Sequence, residues 1–455
     1  MFTREELDRV IKAYDIRGLV EDQITPEFTF VLGTAVARFL AAEREPGTIV
    51  IGEDMRPSSD ELASAFADGV TSQGMDAIRI GLASTDMLYF ASGSLNLPGA
   101  MFTASHNPAA YNGIKLAKSG ARPIGAESGL LRIKEFMING VPMSIGGIGK
   151  ITERNLLNDY VDFLLGIFGK DEFSSGRKLK VVVDAGNGMA GYTAPAIMDR
   201  LNVELIPMYF ELDGNFPNHE ANPIEPKNLV DLVQRVKKEK ADIGLAFDGD
   251  ADRCFLVNEK GELVNPSALT ALIAIRELKR KPGFTIIYNL ISSKAVPEII
   301  LENGGKPLRS RVGHSYIKKM MAESNAIFGG EHSGHFYFND FWRADSGALA
   351  ALFAIAELAH TLVPLSELLA PLNRYFASGE INTVVDDPLE SVRFVKASFE
   401  QDYEIDELDG VTVTAPDWWF NVRPSNTEPL LRLNVEADTP ERMAQVRDQV
   451  LALFG

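Results

Sequence analysis

The chain has 455 residues, 45% hydrophobic and 24% charged, with a net charge of −18, six histidines and one cysteine. A single core stops growing well below this length, so roughly three domains of about 150 residues are expected from length alone. The composition excludes disorder and fibrous repeats, the lone cysteine excludes a disulfide framework or a thiolate zinc cluster, and the acidic balance makes a poor binder of nucleic acid or anionic lipid.

The opening Met1-Phe-Thr-Arg-Glu-Glu lacks the basic-then-apolar order of a signal peptide. The longest apolar stretches, such as Ala348 to Glu357, carry glycine or charge before they could span a bilayer. A cytoplasmic protein with no membrane partner is therefore expected.

Thr48-Ile-Val-Ile-Gly52 reads as a strand, Asp60 to Ser72 as a helix and Asp76-Ala-Ile-Arg-Ile-Gly81 as a second extended segment. The pattern recurs with Lys180-Val-Val-Val-Asp184 and a helical stretch from Tyr192 to Leu201. It recurs again with Thr285-Ile-Ile-Tyr-Asn289 and a helix from Ala295 to Glu302. Each helical stretch is closed by Gly or Asn (Gly74, Asn202, Gly304). Such units predict three related α/β domains with parallel or mixed sheets. The last stretch differs: Ser378 to Val385, Gly410 to Ala415, Trp418 to Val422 and Leu430 to Ala437 read as strands. With helices at Leu389 to Phe399 and Pro440 to Phe454, it predicts an α+β domain with a mostly antiparallel sheet. Trp418 and Trp419 read as core or interface aromatics rather than a stacking platform. Linkers placed at Ser144 to Gly149, near Asn258 and near Pro371 divide the chain into residues 1–148, 149–257, 258–370 and 371–455.

Four motifs carry chemistry. Thr103-Ala-Ser-His-Asn-Pro108 puts Ser105 in a loop after the apolar Gly99 to Phe102, with His106 beside it and Lys115 ten residues on. The pattern does not fit the G-x-S-x-G hydrolase elbow, so Ser105 is either an inert turn residue or a nucleophile of another type. Asp248-Gly-Asp-Ala-Asp-Arg253 follows the apolar run Ile243 to Phe247 and brings three carboxylates to one loop. Oxygen donors suit Mg²⁺ or Mn²⁺ rather than zinc. An EF-hand is the rival, but Arg253 stands where that loop needs Gly and the preceding element is a strand. A solvated acidic turn is the bland alternative. Gly329-Gly-Glu-His-Ser-Gly-His335 offers Glu331 and Ser333 to sugar hydroxyls, or His332 and His335 to a metal. Arg423-Pro-Ser-Asn-Thr-Glu-Pro429 is rich in donors suited to a phosphate. Arg17, His314 and Lys294 are further cationic or polar candidates.

Taken in order, these four motifs resemble the α-D-phosphohexomutase superfamily and, within it, the phosphomannomutase/phosphoglucomutase group. The resemblance runs the full length. It implies three α/β domains and a fourth of different fold around a central cleft, to which each domain contributes one motif. It implies that Ser105 is a phosphoserine that gives its phosphoryl group to a hexose monophosphate. A hexose 1,6-bisphosphate forms, turns around and returns its other phosphoryl group to Ser105. Asp248, Asp250 and Asp252 are implied to hold Mg²⁺ together with the phosphoserine oxygen. His106, Lys115, His314 and His335 are implied in proton transfer or phosphoryl contacts, Lys115 first. Glu331 and Ser333 are implied to bind sugar hydroxyls, and Arg17, Arg253 and Lys294 the substrate. Arg423, Ser425, Asn426 and Thr427 are implied to hold the phosphate that is not transferred.

His332 occupies the variable place of the sugar loop. Mannose and glucose differ at C2, whereas that loop is expected to grip O3 and O4, so activity on both sugar phosphates is expected. Phosphoglucosamine mutase ranks second, because that group typically has Gly where Ala251 stands. A silent sugar-phosphate sensor on the same fold is opposed by the intact Ser105, Asp triad and Lys115. A phosphatase would need a site more open to water than a closing multidomain protein offers.

Overall fold

The computed structural model describes residues 2–142, 147–169, 171–425 and 430–454, without the side chains of His314 and Ser315. In the N-terminal stretch, six strands lie side by side in the order Ile16–Leu19, Tyr111–Lys118, Gly99–Phe102, Thr48–Glu53, Asp76–Leu82 and Ile151–Glu153. Tyr111–Lys118 is antiparallel to both of its neighbours, while the strands from Gly99–Phe102 onward run parallel, so the sheet is mixed. The helices Pro26–Ala42 and Ser59–Ser72 pack on it through Phe28, Leu32, Phe39, Phe66 and Val70. Those apolar positions recur at helical spacing, which is the period legible in the sequence.

A second mixed sheet takes the order Cys254–Asn258, Ile243–Phe247, Leu179–Asp184, Val203–Met208. Its inner strands are Val-, Ile- and Leu-rich and buried on both faces, as parallel strands under helices are. A third α/β stretch has the parallel strands Lys306–Ser310, Thr285–Asn289 and Phe328–Gly330, with the helices Pro266–Arg280 and Ala295–Glu302. The C-terminal sheet runs Phe376–Val384, Leu430–Ala437, Trp418–Pro424, Val411–Thr414, Glu404–Asp406, antiparallel throughout. Trp418 stacks on Phe420 with centroids 5.8 Å apart, and Trp419 is buried as well, so both tryptophans are core residues as expected. The three α/β sheets and the antiparallel fourth agree with the fold class read from the sequence.

The chain gathers into two compact units, Met1–Val264 with Ser333–Ser366, and Asn265–His332 with Glu367–Gly455. Residues 333–366 thus pack with the first unit although they follow the third α/β stretch. The cause lies in the helix Gly347–Ala359, in which twelve of the thirteen residues are buried. A helix apolar all round must be covered on every side, and Ala348, Ala351 and Leu352 line one small cavity together with Ala194, Ile197 and Phe247. Asn258, expected in a linker, instead ends a paired strand. Its Oδ1 accepts from the backbone N–H groups of Lys260 and Glu262 and turns the chain. Among the described residues, no helix is long and apolar enough to cross a membrane.

Candidate active site

Three parts of the first unit meet at Ser105. The strand Gly99–Phe102 delivers the Ser105 loop and its neighbour Tyr111–Lys118 delivers Lys115. From the second sheet, Ile243–Phe247 delivers the acidic loop. The two loops lie at strand ends, where open α/β sheets place their ligands, and Lys115 reaches them from within its strand, opposite Met101. Ser105 has φ 51° and Ala251 φ 59°, so both loops hold a non-glycine residue in the left-handed region. Such residues persist only where the surroundings fix them, and they cluster at functional sites. Gly249 shows how close the loops come: a Cβ there would lie 2.3 Å from the carbonyl oxygen of Ser105.

Ser105 Oγ donates to Asp248 Oδ2 at 2.8 Å and lies 3.1 Å from His106 Nδ1. Asp248, Asp250 and Asp252 are at most 1% exposed, and their oxygens lie within 4.8 Å of one another. Lys115 Nζ donates to Asp250 Oδ2 at 2.7 Å and to Asp252 Oδ2 at 2.6 Å. Thr85 closes the set: its Oγ1 donates to Asp250 Oδ2 and its backbone N–H to the Asp250 carbonyl. Two carboxylate oxygens, Asp250 Oδ1 and Asp252 Oδ1, are buried without a hydrogen-bond partner among the described residues. Uncompensated carboxylate oxygens of this kind are costly, and an all-oxygen set with no thiolate fits a hard divalent cation. The cluster therefore could bind a metal.

The charges sort the titratable groups. Burial and the neighbouring Asp252 and Asp250 hold the Asp248 carboxyl well above the usual carboxylate range. Burial opposes ionisation of Asp252 too, but Lys115 and His335 outweigh it and hold it at about 2. Burial alone would lower Lys115; Asp250 and Asp252 overcome it and keep the ammonium charged. His106 is held well below its ordinary value by Arg253 and burial. His335 is pushed down to about 4 by burial and Arg253. Both imidazoles are therefore neutral at pH 7. Arg253 Nε donates to His335 Nε2 at 3.3 Å, which leaves the His335 proton on Nδ1, facing Ser333 Oγ at 2.9 Å. Arg253 Nη2 reaches His106 Nδ1 at 3.0 Å, and the backbones of Arg253 and His335 form a bridge. Arg17 Nη1 donates to Asn107 Oδ1 at 2.6 Å, in the Ser105 loop. The first unit thus assembles Ser105, His106, Lys115, the Asp triad, Arg17, Arg253, Ser333 and His335.

The second unit holds other candidates. Glu331 is 2% exposed and accepts from the backbone N–H of Gly313 at 3.1 Å. Arg423, 6% exposed, donates through Nη2 to Glu380 Oε2 at 2.6 Å, and its buried Nε has no hydrogen-bond partner among the described residues. Ser425, beyond Pro424, has its N–H bonded to the Leu430 carbonyl at 2.8 Å. His332 feels both Glu380 and Arg423, and burial lowers it below its ordinary value. Lys294 points elsewhere, with Nζ 3.4 Å from the Pro416 carbonyl and over the Tyr375 ring. Asn426 and Thr427 lie outside the described residues, as does the side chain of His314.

Sequence reading did not single out Thr85, Asp345 or Arg56. Asp345 Oδ2 lies 3.9 Å from His335 Nε2, and Arg56 bonds the Ser105 loop. For Arg56, a signal exists: Glu53-Asp-Met-Arg-Pro57 stands at the carboxyl end of a buried strand. Thr85 has none, because its partner Asp250 is 165 residues away.

Sequence profiles of the phosphoglucomutase/phosphomannomutase family match the chain four times. Alpha/beta/alpha domain I covers residues 8–138, domain II 158–261, domain III 265–375 and the C-terminal domain 380–453. A phosphomannomutase of Escherichia coli K12 is 38% identical over 448 residues, covering 96% of this chain and 97% of its own length. A phosphomannomutase/phosphoglucomutase of Pseudomonas syringae pv. tomato is 36% identical, covering 97% and 94%. A crystal structure of a phosphoglucomutase/phosphomannomutase family protein from Burkholderia thailandensis matches with a TM-score of 0.89 at 30% identity, over 100% of this chain and 97% of that one. With the four domains in order and the Ser105, triad and Lys115 cluster in place, the chain belongs to the phosphoglucomutase/phosphomannomutase family and is a phosphohexomutase.

Proposed function

We propose that this phosphohexomutase interconverts the 6- and 1-phosphates of mannose and glucose by passing a phosphoryl group through Ser105, with a hexose 1,6-bisphosphate as intermediate. The observation that carries it is the Ser105 hydroxyl, 2.8 Å from Asp248 inside a buried acidic triad that also binds Lys115. In the forward step the bond from phosphorus to Ser105 Oγ breaks, a bond to the free sugar hydroxyl forms, and that hydroxyl gives up its proton. Return of the other phosphoryl group reverses these changes at Ser105.

Asp248, Asp250 and Asp252, with a phosphoserine oxygen, would hold Mg²⁺. When bound, Mg²⁺ supplies Lewis-acid neutralisation of the phosphoryl oxygens. The residues do the rest. Three carboxylates against Lys115 and Arg253 leave the cluster one charge negative; a divalent cation turns it positive, the sign a phosphoryl group of about −2 requires. Lys115 acts as a fixed cation rather than as a base, since the aspartates hold its proton. The neutral imidazoles of His106 and His335 are the groups able to accept one. Glu331 and Ser333 serve as sugar-hydroxyl partners. Arg423 and Ser425, with Asn426 and Thr427, serve as donors to the phosphate that stays in place, and Arg17 as a further cationic contact; Lys294 joins them only by leaving the Pro416 carbonyl. The four domains are taken as 1–148, 149–257, 258–370 and 371–455, in a protein of the cytoplasm.

Incubation with glucose 1,6-bisphosphate and peptide mass spectrometry should place one phosphoryl group on Ser105. Full mutase activity in Ser105→Ala would overturn the assignment. Parallel rates with mannose, glucose and glucosamine phosphates separate this reading from a phosphoglucosamine mutase, which would favour the last.

A further inference from the structure

Arg56 is 2% exposed and touches none of the acidic triad through a hydrogen bond, yet every one of its donors is used. A guanidinium has five N–H groups in a rigid fork. Nε–H goes to Asp54 Oδ2 at 3.2 Å. The two on Nη1 go to the carbonyls of Pro108 and Tyr111, both at 2.9 Å. The two on Nη2 go to the carbonyls of Ser105 at 3.0 Å and Asn107 at 2.6 Å. Four carbonyls of one loop thus converge on one side chain.

Asp54 is itself fixed. Its Oδ1 accepts from Ser59 Oγ at 2.6 Å and from the backbone N–H of Arg56 at 3.1 Å. The ring of Phe216, from the second sheet's side, covers the guanidinium with its centroid 5.2 Å away. The same ring would meet a Cβ placed on Gly249 at 3.6 Å, so it touches the acidic loop as well. Arg56 therefore sits where the Ser105 loop and the acidic loop are braced against each other.

We propose that Arg56 is a positioning residue for phosphoryl transfer, holding Ser105 in its left-handed backbone conformation so that Oγ stays on Asp248. This deepens the function proposed above and rests on Ser105 being the phosphoryl carrier. The loop has few bonds of its own: Ser105 N–H to Thr103 Oγ1, Asn107 N–H to the Ala104 carbonyl and Tyr111 N–H to the Pro108 carbonyl. Without Arg56 the buried Ser105 carbonyl and the part-buried carbonyls of Asn107 and Tyr111 lose this donor, the Pro108 carbonyl keeps only the Tyr111 N–H, and the strained φ of Ser105 loses its counterweight. Lysine is not a substitute, because a three-donor point charge cannot fill four carbonyls in a plane.

The test compares wild type, Arg56→Lys and Arg56→Ala in three measurements: single-turnover phosphorylation of Ser105 by glucose 1,6-bisphosphate, steady-state kcat and KM for mannose 1-phosphate, and the response to added guanidinium. Circular dichroism and melting establish which variants fold; if the alanine variant does not, the lysine variant decides. Transfer to Ser105 should slow by on the order of 10²-fold in both variants, as a reacting atom moved by about 1 Å would. KM should stay within roughly threefold, since no binding contact is lost. Guanidinium should restore part of the rate to Arg56→Ala and none to Arg56→Lys. Transfer at the wild-type rate in a folded variant, or a loss confined to KM, overturns the proposal. If wild type itself gains no phosphate on Ser105, it is the phosphoserine reading that fails.

Discussion

Lys115 sits between two buried carboxylates, 2.7 Å from Asp250 and 2.6 Å from Asp252, while Arg253 Nε stands farther off, 4.0 Å from Asp252. Breaking a buried pair from one side costs about 3–5 kcal/mol, because the other charge stays buried. Lys115→Met should therefore melt well below wild type in EDTA. Added Mg²⁺ should raise its melting temperature more than that of wild type, since the cation replaces the missing charge. Turnover should still fall by roughly 10²- to 10³-fold, as when a preorganised charge is removed from a transition state. Equal Mg²⁺ shifts in the two proteins would count against the triad as the metal site. Arg423 gives the contrasting case. It is buried on Glu380, its Nε unpartnered among the described residues, in the other unit, and its proposed partner is the phosphate that stays in place. Arg423→Ala should raise KM for hexose phosphates and lower kcat/KM by about 10- to 100-fold, the size of a charged hydrogen bond. Ser105 should still take phosphate from saturating bisphosphate. Loss of that phosphorylation would assign Arg423 to the transferred group instead.

At the scale of elements, two helix starts share one buried carboxylate. Ser84 caps the helix Thr85–Leu95 and Ser346 caps Gly347–Ala359. Both hydroxyls donate to Asp86, as does Tyr160, at 2.5, 2.6 and 2.8 Å. The hub stands behind the site, since Thr85 bonds Asp250 and Asp345 precedes Ser346. Burial is the largest influence on Asp86 and raises its carboxyl to about 6, against an ordinary 3.8. The folded state therefore holds this proton more tightly than the unfolded state does. Its stabilising effect is full below about pH 4 and fades as pH rises through about 6, with an upper bound near 3 kcal/mol. Asp86→Asn removes that dependence. Between about pH 4 and pH 7 the melting temperature of wild type should fall relative to that of Asp86→Asn. Parallel profiles would show that Asp86 does not titrate in this range. The long-range bonds of this hub were not legible in the sequence, because Tyr160 and Ser346 lie 74 and 260 residues from Asp86. Helices and strands were legible, since their periods are local: Ala295–Glu302 and Leu430–Ala437 have the boundaries their apolar spacing predicts.

For the whole molecule, legibility stops where long-range packing decides. Ser105, Lys115 and the triad were found because each stands in a motif of unusual local chemistry. Thr85 was missed because its bond to Asp250 exists only once distant loops meet, whereas Arg56 had a local signal, its place at the carboxyl end of a buried strand, that went unread. The same limit applies to the two units: nothing local in Ser333–Ser366 says that this stretch packs with the N-terminal sheets. The division has a thermodynamic consequence. Every proposed metal ligand lies in the first unit, whereas the C-terminal antiparallel sheet lies in the second. A ligand stabilises what binds it by RT ln(1 + [L]/Kd), about 2.7 kcal/mol at a hundredfold excess over Kd, and large proteins need not unfold as one cooperative block. Hydrogen exchange in EDTA and in Mg²⁺ should therefore differ by region. Amides of Gly99–Phe102, Tyr111–Lys118, Ile243–Phe247 and Cys254–Asn258 should gain protection with Mg²⁺. Those of Val411–Thr414, Trp418–Pro424 and Leu430–Ala437 should change little, because their bonds open without disturbing the metal ligands. Protection rising equally in both sets would mean that the units unfold together. Protection confined to the C-terminal sheet would place the metal elsewhere than on Asp248, Asp250 and Asp252.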